Sequence, residues 1–458
     1  MHIVLGPPGT GKTTKLLSLV ESYLESGVPP DRIAYLAFTR KAAQEAVDRA
    51  CLKFSFSKKE LPYFRTLHSL AFQQAGLNHS QVITPDKYQE IAEWLKIGKF
   101  FIGGVTEQGP YKDFGYGDKF LEIINMARIL REPLRKIYNQ SIVPLKTDWA
   151  RVDYVARGLE HWKEAYGLFD YTGMLELFLH RDLCPKLEVV FIDEAQDLSP
   201  IQWEMVRRLE ERSKICYVAG DDDQAIFRYA GADVEQFVGL EGDVTLLDKS
   251  YRIPSLHHDL SIQVIHKIVG RREKPFTAKE DKGEIFWHRH SEEVDLSDKD
   301  WLLLSITADQ VILIYKYMLL NKQIVYGYKT MPDGEDGTLY SIEDLQQSHG
   351  LLHADPWDQG LGKISQRDKV YLKACLRKGE KLDQTPRIRI STIHSAKGAE
   401  ATNVMLLTDV MRRPYSMWRK INTYDEDEAR VFYVGLTRAK EQLHLVHPMF
   451  SQGYALPY

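Results

Sequence analysis

The chain has 458 residues, 44% of them hydrophobic and 27% charged, which is ordinary for a globular protein and too long for one typical core. A net charge of -4 neither invites nor excludes nucleic acid, so any contact with a polyanion must come from local basic clusters. Four cysteines without a C-x-x-C pair argue against a metal cluster or disulfide framework, and no apolar run approaches the ~18 residues of a membrane span, which leads us to expect a cytoplasmic protein.

In chain order, the first predicted strand is residues 2–5, with no room before it for a leader peptide. It runs into Gly6-Pro7-Pro8-Gly9-Thr10-Gly11-Lys12-Thr13-Thr14, and a helix-like stretch follows. Strand, glycine loop and helix form the context that a phosphate-binding loop requires. The glycines let backbone N–H groups turn inward, and the helix start adds its positive dipole end. Lys12 can reach the terminal phosphates of a nucleoside triphosphate, and the Thr13 hydroxyl can ligate Mg2+.

Further strands are predicted at residues 33–38, 189–193 and 215–219, alternating with helices in the manner of a doubly wound parallel sheet. Residues 81–147 read as a helical insertion. Asp193 and Glu194 end one strand, where the first would hold Mg2+ and the second would orient and deprotonate a water. The next strand ends in Gly220-Asp221-Asp222-Asp223-Gln224, and Gln224 can bond both a γ-phosphate and that water. Three consecutive aspartates on their own read as a solvated turn. A second alternating region has strands near 244–247, 301–305, 389–392, 404–407 and 443–446, which implies a second α/β domain. His257, His258, His288 and His290 lack partners at metal spacing and read as ordinary histidines.

The order of these motifs carries a resemblance. The loop at Gly6, Asp193-Glu194-Ala195-Gln196-Asp197, the run from Gly220 to Ala232, and Leu247-Asp248-Lys249-Ser250-Tyr251-Arg252 resemble the UvrD/Rep family of superfamily 1A helicases. Thr392-Ile393-His394-Ser395-Ala396-Lys397-Gly398-Ala399-Glu400 and Tyr433-Val434-Gly435-Leu436-Thr437-Arg438-Ala439 extend the match to residue 439. The short helicases that many phages encode are similar in style. The resemblance implies ATP held with Mg2+ between two RecA-like domains, with Gly6 to Thr14, Tyr251 and Glu400 around the nucleotide and Thr13 and Asp193 at the metal. Lys12, Glu194, Gln224, Arg252 and Arg438 would be catalytic, the two arginines as fingers on the γ-phosphate. Lys397 and Gly398 would link ATP to the DNA track.

Leu36-Ala37-Phe38-Thr39-Arg40-Lys41-Ala42-Ala43 and Arg65-Thr66-Leu67-His68 resemble the DNA-side motifs of the same family. Phe38, His68 and Tyr229 are thus expected to stack on or wedge bases, with Thr39, Arg40, Lys41 and Thr66 toward phosphates and His394 also on the DNA side. Residues 169–174 resemble a further family segment, with Gly173 in place of its second acid. The expected boundaries are 1–80 with 148–243 for the first RecA-like domain and 81–147 for its insertion. The second domain is expected at 244–330 with 387–458, around a reduced insertion at 331–386.

Besides Gly173 and the reduced insertion at 331–386, further departures from the family pattern stand out. No adenine-reading glutamine motif precedes Gly6, so looser discrimination among nucleotides is expected. Ala230 stands where the family often has arginine, and no nuclease domain follows the last motif. The basic loop 411–420 reads as a DNA contact, a partner contact or a solvated connector. The expected function is ATP-dependent translocation on single-stranded DNA, 3' to 5', and unwinding of tailed duplexes. Protein stripping with little unwinding, or nucleotide-gated DNA binding without turnover, are the alternatives.

Overall fold

The computed structural model describes residues 1–38, 40–97, 116–140, 148–306, 387–410, 424–448 and 453–457. Thr39, the insertion at 331–386, the loop 411–420 and Cys375 lie outside the described residues, as do the side chains of Arg40 and Lys41.

Among the described residues eleven strands form two sheets, and the pairings within them are parallel. The first contains β1 (His2–Leu5), β2 (Ile33–Ala37), β3 (Phe64–Thr66), β4 (Val189–Asp193), β5 (Ile215–Gly220) and β6 (Asp243–Leu246), in the order β3-β2-β4-β5-β1-β6. The second contains β7 (Glu284–His288), β8 (Trp301–Ser305), β9 (Ile388–Thr392), β10 (Ala401–Leu407) and β11 (Ala439–Val446), in the order β7-β11-β10-β8-β9. Parallel strands need crossovers, and the helices that supply them cover both faces of the sheet. The central strands are therefore apolar on both sides. In β1, Ile3 and Leu5 enter one core cluster while Val4 enters the opposite one. In β8, Leu302 and Leu304 face one cluster and Trp301 and Leu303 the other.

The strand expected to open the second region belongs instead to the first sheet. β6 pairs with β1 in register from His2↔Asp243 to Leu5↔Leu246. Alternation of polar and apolar residues cannot say which sheet a strand joins, so this placement was not legible. β3 and β7 were also not anticipated, the first because it has only three residues and the second because its face is half exposed.

The helices Pro85–Trp94, Tyr116–Ile129, Leu134–Gln140 and Trp149–Tyr166 carry a separate apolar cluster, including Ile91, Phe120, Ile123, Val155 and Trp162. A buried ionic knot fastens this insertion to the first sheet's helical layer. Asp170 caps the helix Tyr171–His180 by accepting from the Gly173 N–H at 2.6 Å. It also accepts from Arg128 Nη1 at 2.7 Å and Lys163 Nζ at 3.1 Å, while Arg128 reaches Glu176 as well. Burial opposes the charge on Asp170, but Arg128 and Lys163 outweigh it and hold the carboxyl well below its ordinary range.

The two bodies also share apolar structure. Ile226, Phe227, Tyr229 and Ala232 follow β5 of the first sheet, yet they pack in the cluster formed by Leu302, Leu304, Val404, Leu406 and Phe432 of the second.

Candidate nucleotide site and nucleic-acid face

The loop 6–11 leaves the carboxyl end of β1, and Gly9 and Gly11 take left-handed φ values of 75° and 83°. Lys12 lies across this loop, donating from Nζ to the Gly6 carbonyl at 2.8 Å and standing 3.8 Å from Glu194. A Cβ on Gly6 would fall 2.2 Å from Lys12 Cγ, so the glycine is what lets the lysine fold over the cradle. Thr10 is turned inward, with Oγ1 donating to the Pro7 carbonyl at 2.8 Å. Thr13 opens the helix Lys12–Glu25 and donates to Asp193 Oδ2 at 3.0 Å; exposed Thr14 sits 3.5 Å from Arg49 Nη1.

Asp193 and Glu194 end β4 as expected, and their environments differ. Asp193 is buried and also accepts from the Tyr35 hydroxyl at 2.6 Å. Burial and the neighbouring Glu194 push its carboxyl above the ordinary value. Glu194 adopts φ 55° and ψ 41°, a left-handed conformation that costs a non-glycine residue roughly 1 kcal/mol or more. It accepts from Gln196 Nε2 at 2.6 Å and faces Lys397 at 3.4 Å. Burial raises its pKa, but Lys12 and Lys397 outweigh that and bring it down to about 2, so it is an anion while those lysines face it.

Residues of the second body close the site. Ser250 Oγ donates to the Pro8 carbonyl at 2.8 Å and the Tyr251 N–H to the Gly9 carbonyl at 2.9 Å. Arg252 Nε donates to Glu400 at 2.6 Å, and Lys440 holds the other oxygen of Glu400 at 2.6 Å. Tyr251 is 73% exposed beside the loop, its aromatic face open to solvent. Arg438, 1% exposed, donates from Nη2 to Gln224 Oε1 at 3.1 Å. Burial, reinforced by Arg252, lowers its pKa to about 9. Lys397 bonds the Gln224 carbonyl at 2.7 Å and pairs with Asp197.

The nucleic-acid candidates are arranged differently from the expectation. Phe38, half-buried, packs on Phe227 with ring centres 5.2 Å apart. Tyr229 and His394 meet edge to face at 5.2 Å and are 5% and 1% exposed, so neither offers a face to a base in this conformation. Thr66 is likewise engaged: buried, it caps the helix Leu67–Gln74 by accepting from the Ser69 N–H at 3.2 Å. His68 stands edge to face with Tyr171 at 6.1 Å, and Tyr171, not anticipated, is 56% exposed.

Residues 1–245 match the UvrD/REP helicase N-terminal domain and residues 368–447 the UvrD-like helicase C-terminal domain. The chain belongs to the UvrD/REP helicase family. A "Probable DNA helicase" of Mycoplasma pneumoniae is 23% identical over 97% of this chain and 80% of its own length. The ATP-dependent DNA helicase PcrA of Bacillus subtilis is 25% identical over 64% of this chain and 41% of its own length. PcrA of Staphylococcus aureus is 21% identical over 67% and 43%. The chain thus spans less than half the length of these PcrA relatives. Its enzyme class is that of the ATP-dependent DNA helicases.

Several residues packed around the phosphate loop and the end of β5 were not singled out in the sequence. Tyr35 was read only as part of a strand, although its alternation with Ala34 and Leu36 turns it toward Asp193. Asp221 to Asp223 do not form a solvated turn: all three are at most 1% exposed and are caged by Lys274, with Arg271 also on Asp223. No motif marks Lys274. The hydroxyl of Thr13 and the carboxylate of Asp193 are hard oxygen donors, a set that suits Mg2+ with waters and phosphate oxygens completing the shell. Among the described residues no helix is long and apolar enough to cross a membrane.

Proposed function

We propose that this helicase hydrolyses Mg-ATP between its two sheets and uses the cycle to translocate 3' to 5' along single-stranded DNA and to unwind tailed duplexes. The observation that carries the reading is Gln224: it follows β5 of the first sheet, while Arg438 of the second donates to its side-chain oxygen and Lys397 to its backbone carbonyl. A group so placed reports the state of the γ-phosphate to both bodies at once.

In this reading Lys12 leaves the Gly6 carbonyl for the phosphates, and the loop N–H groups cradle them. Mg2+, held by Thr13 and Asp193, would neutralise charge on the phosphate oxygens when bound. Glu194 accepts the proton of the attacking water. Arg252 and Arg438 exchange Glu400 and Gln224 for γ-phosphate oxygens, and Tyr251 stacks on the base. Phe38 and Tyr171 serve as stacking surfaces for DNA, and the buried Phe227, Tyr229 and His394 join them only if the bodies part. Thr39, Arg40 and Lys41 contact phosphates, a role that rests on the family resemblance of residues 36–43. The insertion at 81–147 forms the second wall of the DNA channel, and the first domain runs through β6.

Lys12→Ala and Glu194→Gln are expected to lower DNA-stimulated hydrolysis by roughly 10²-fold or more. Duplexes with a 3' tail, a 5' tail and a fork then test direction. Efficient opening of 5'-tailed duplexes alone would overturn the polarity.

A further inference from the structure

Lys274 lies far in sequence from every motif above, yet it is 3% exposed and its ammonium contacts three carboxylates. Nζ stands 3.3 Å from Asp221, 2.7 Å from Asp222 and 2.8 Å from Asp223. The three aspartates differ in what else supports them. Asp223 also holds the guanidinium of Arg271, with Nε donating at 2.8 Å. Asp222 also accepts from the Arg272 N–H at 3.0 Å. Asp221 accepts from the Asp223 N–H at 3.2 Å and from Gln224 Nε2 at 2.8 Å, and among the described residues its ion-pair partner is Lys274.

We infer that Lys274 is a positioning residue for ATP hydrolysis, offsetting the buried charge of Asp221 and holding it in place so that Asp221 fixes the amide of Gln224. The chain of contacts runs from Lys274 to Asp221, from Asp221 to Gln224 Nε2, and from Gln224 Oε1 to Arg438. Without Lys274, Asp223 keeps Arg271 and Asp222 keeps the Arg272 N–H, whereas Asp221 is left fully buried beside two like charges. A carboxylate in that position takes up a proton. One of its oxygens then carries a hydrogen and can donate, so the acceptor that holds the amide of Gln224 is weakened and no longer fixes its orientation. A flipped amide would set Nε2 against the Arg438 guanidinium, donor against donor, so the residue loses its defined orientation altogether.

This inference rests on the ATPase reading, and steady-state turnover of the full chain on single-stranded DNA separates the two. Lys274→Met is expected to lower kcat by at least ~10-fold while KM for ATP stays within ~3-fold, because the phosphate loop is untouched. Lys274→Arg keeps the charge and recovers most of kcat. Asp221→Asn retains the volume with one acceptor oxygen fewer and reproduces the kcat loss. The double variant Asp221→Asn with Lys274→Met is no worse than either single one, since both cut the same chain of contacts. Undiminished kcat in Lys274→Met, or a double-variant loss equal to the product of the single losses, overturns the inference and leaves the ATPase reading standing. If Lys274→Met does not fold, Asp221→Asn decides alone: a raised KM with unchanged kcat overturns it. Wild-type chain that shows no DNA-stimulated turnover overturns the ATPase reading and this inference with it.

Discussion

At the scale of single residues, the site is governed by how closely the second body approaches the phosphate loop. A Cβ on Gly9 would come within 2.5 Å of Arg252 Cβ and 2.7 Å of Ser250 Oγ, at a φ of 75° that a side chain adopts with strain. Gly9→Ala is therefore expected to displace the segment 250–252 and weaken ATP binding by about ten-fold, equivalent to ~1.4 kcal/mol, measurable by nucleotide titration. Asp197 gives a pH prediction. Burial, opposed by Lys397 and aided by Glu194, raises its pKa to about 7, so the folded protein holds a proton that the unfolded chain releases near 3.8. The native state binds more protons in that window, and stability falls as pH rises from about 4 to about 7 and then levels. Asp197→Asn cannot titrate, so its melting temperature relative to wild type should be higher at pH 8 than at pH 5. A relative melting temperature that instead falls with pH would mean that the Lys397 pair is net stabilising.

Elements show best what the sequence made legible. Strand, glycine loop and helix at 2–25 could be read directly, because the loop's chemistry needs glycines at fixed places and an apolar strand before it. β4 and β5 were legible for the same reason, each an apolar run ending in polar residues. Residues whose role depends on distant partners were not: Lys274 looks like any surface lysine. The ionic knot at Asp170 belongs to this class. Asp170→Ala removes a cap and a buried carboxylate but leaves Arg128 to Glu176 and Lys163 to Glu160, so a loss of about 2–3 kcal/mol is expected. Thermal denaturation followed by tryptophan fluorescence reads it, since Trp149 and Trp162 lie in the helices that the knot fastens. An unchanged melting curve would show that the apolar cluster holds the insertion unaided.

For the whole molecule, the contact between the bodies is largely polar around the nucleotide site, with Arg228 on Asp427, Lys397 on Asp197 and Arg430 bonding the Asp222 carbonyl at 3.1 Å. Such contacts can exchange partners as the bodies move, which suits a two-state motor. The apolar stretch from Ile226 to Ala232 is a different kind of link, because it comes from one body and completes the interior of the other. This makes the molecule hard to dissect. A fragment ending at residue 246 would bare Ile226, Phe227 and Tyr229 to water, and its counterpart would have a hole where they belong. Expressed alone, each fragment is expected to aggregate; expressed together, 1–246 and 247–458 should copurify as a nicked but folded pair. The order in which the chain is synthesised then matters too: the first sheet can form while translation continues, but its own loop stays unburied until the last strand, β11, has emerged.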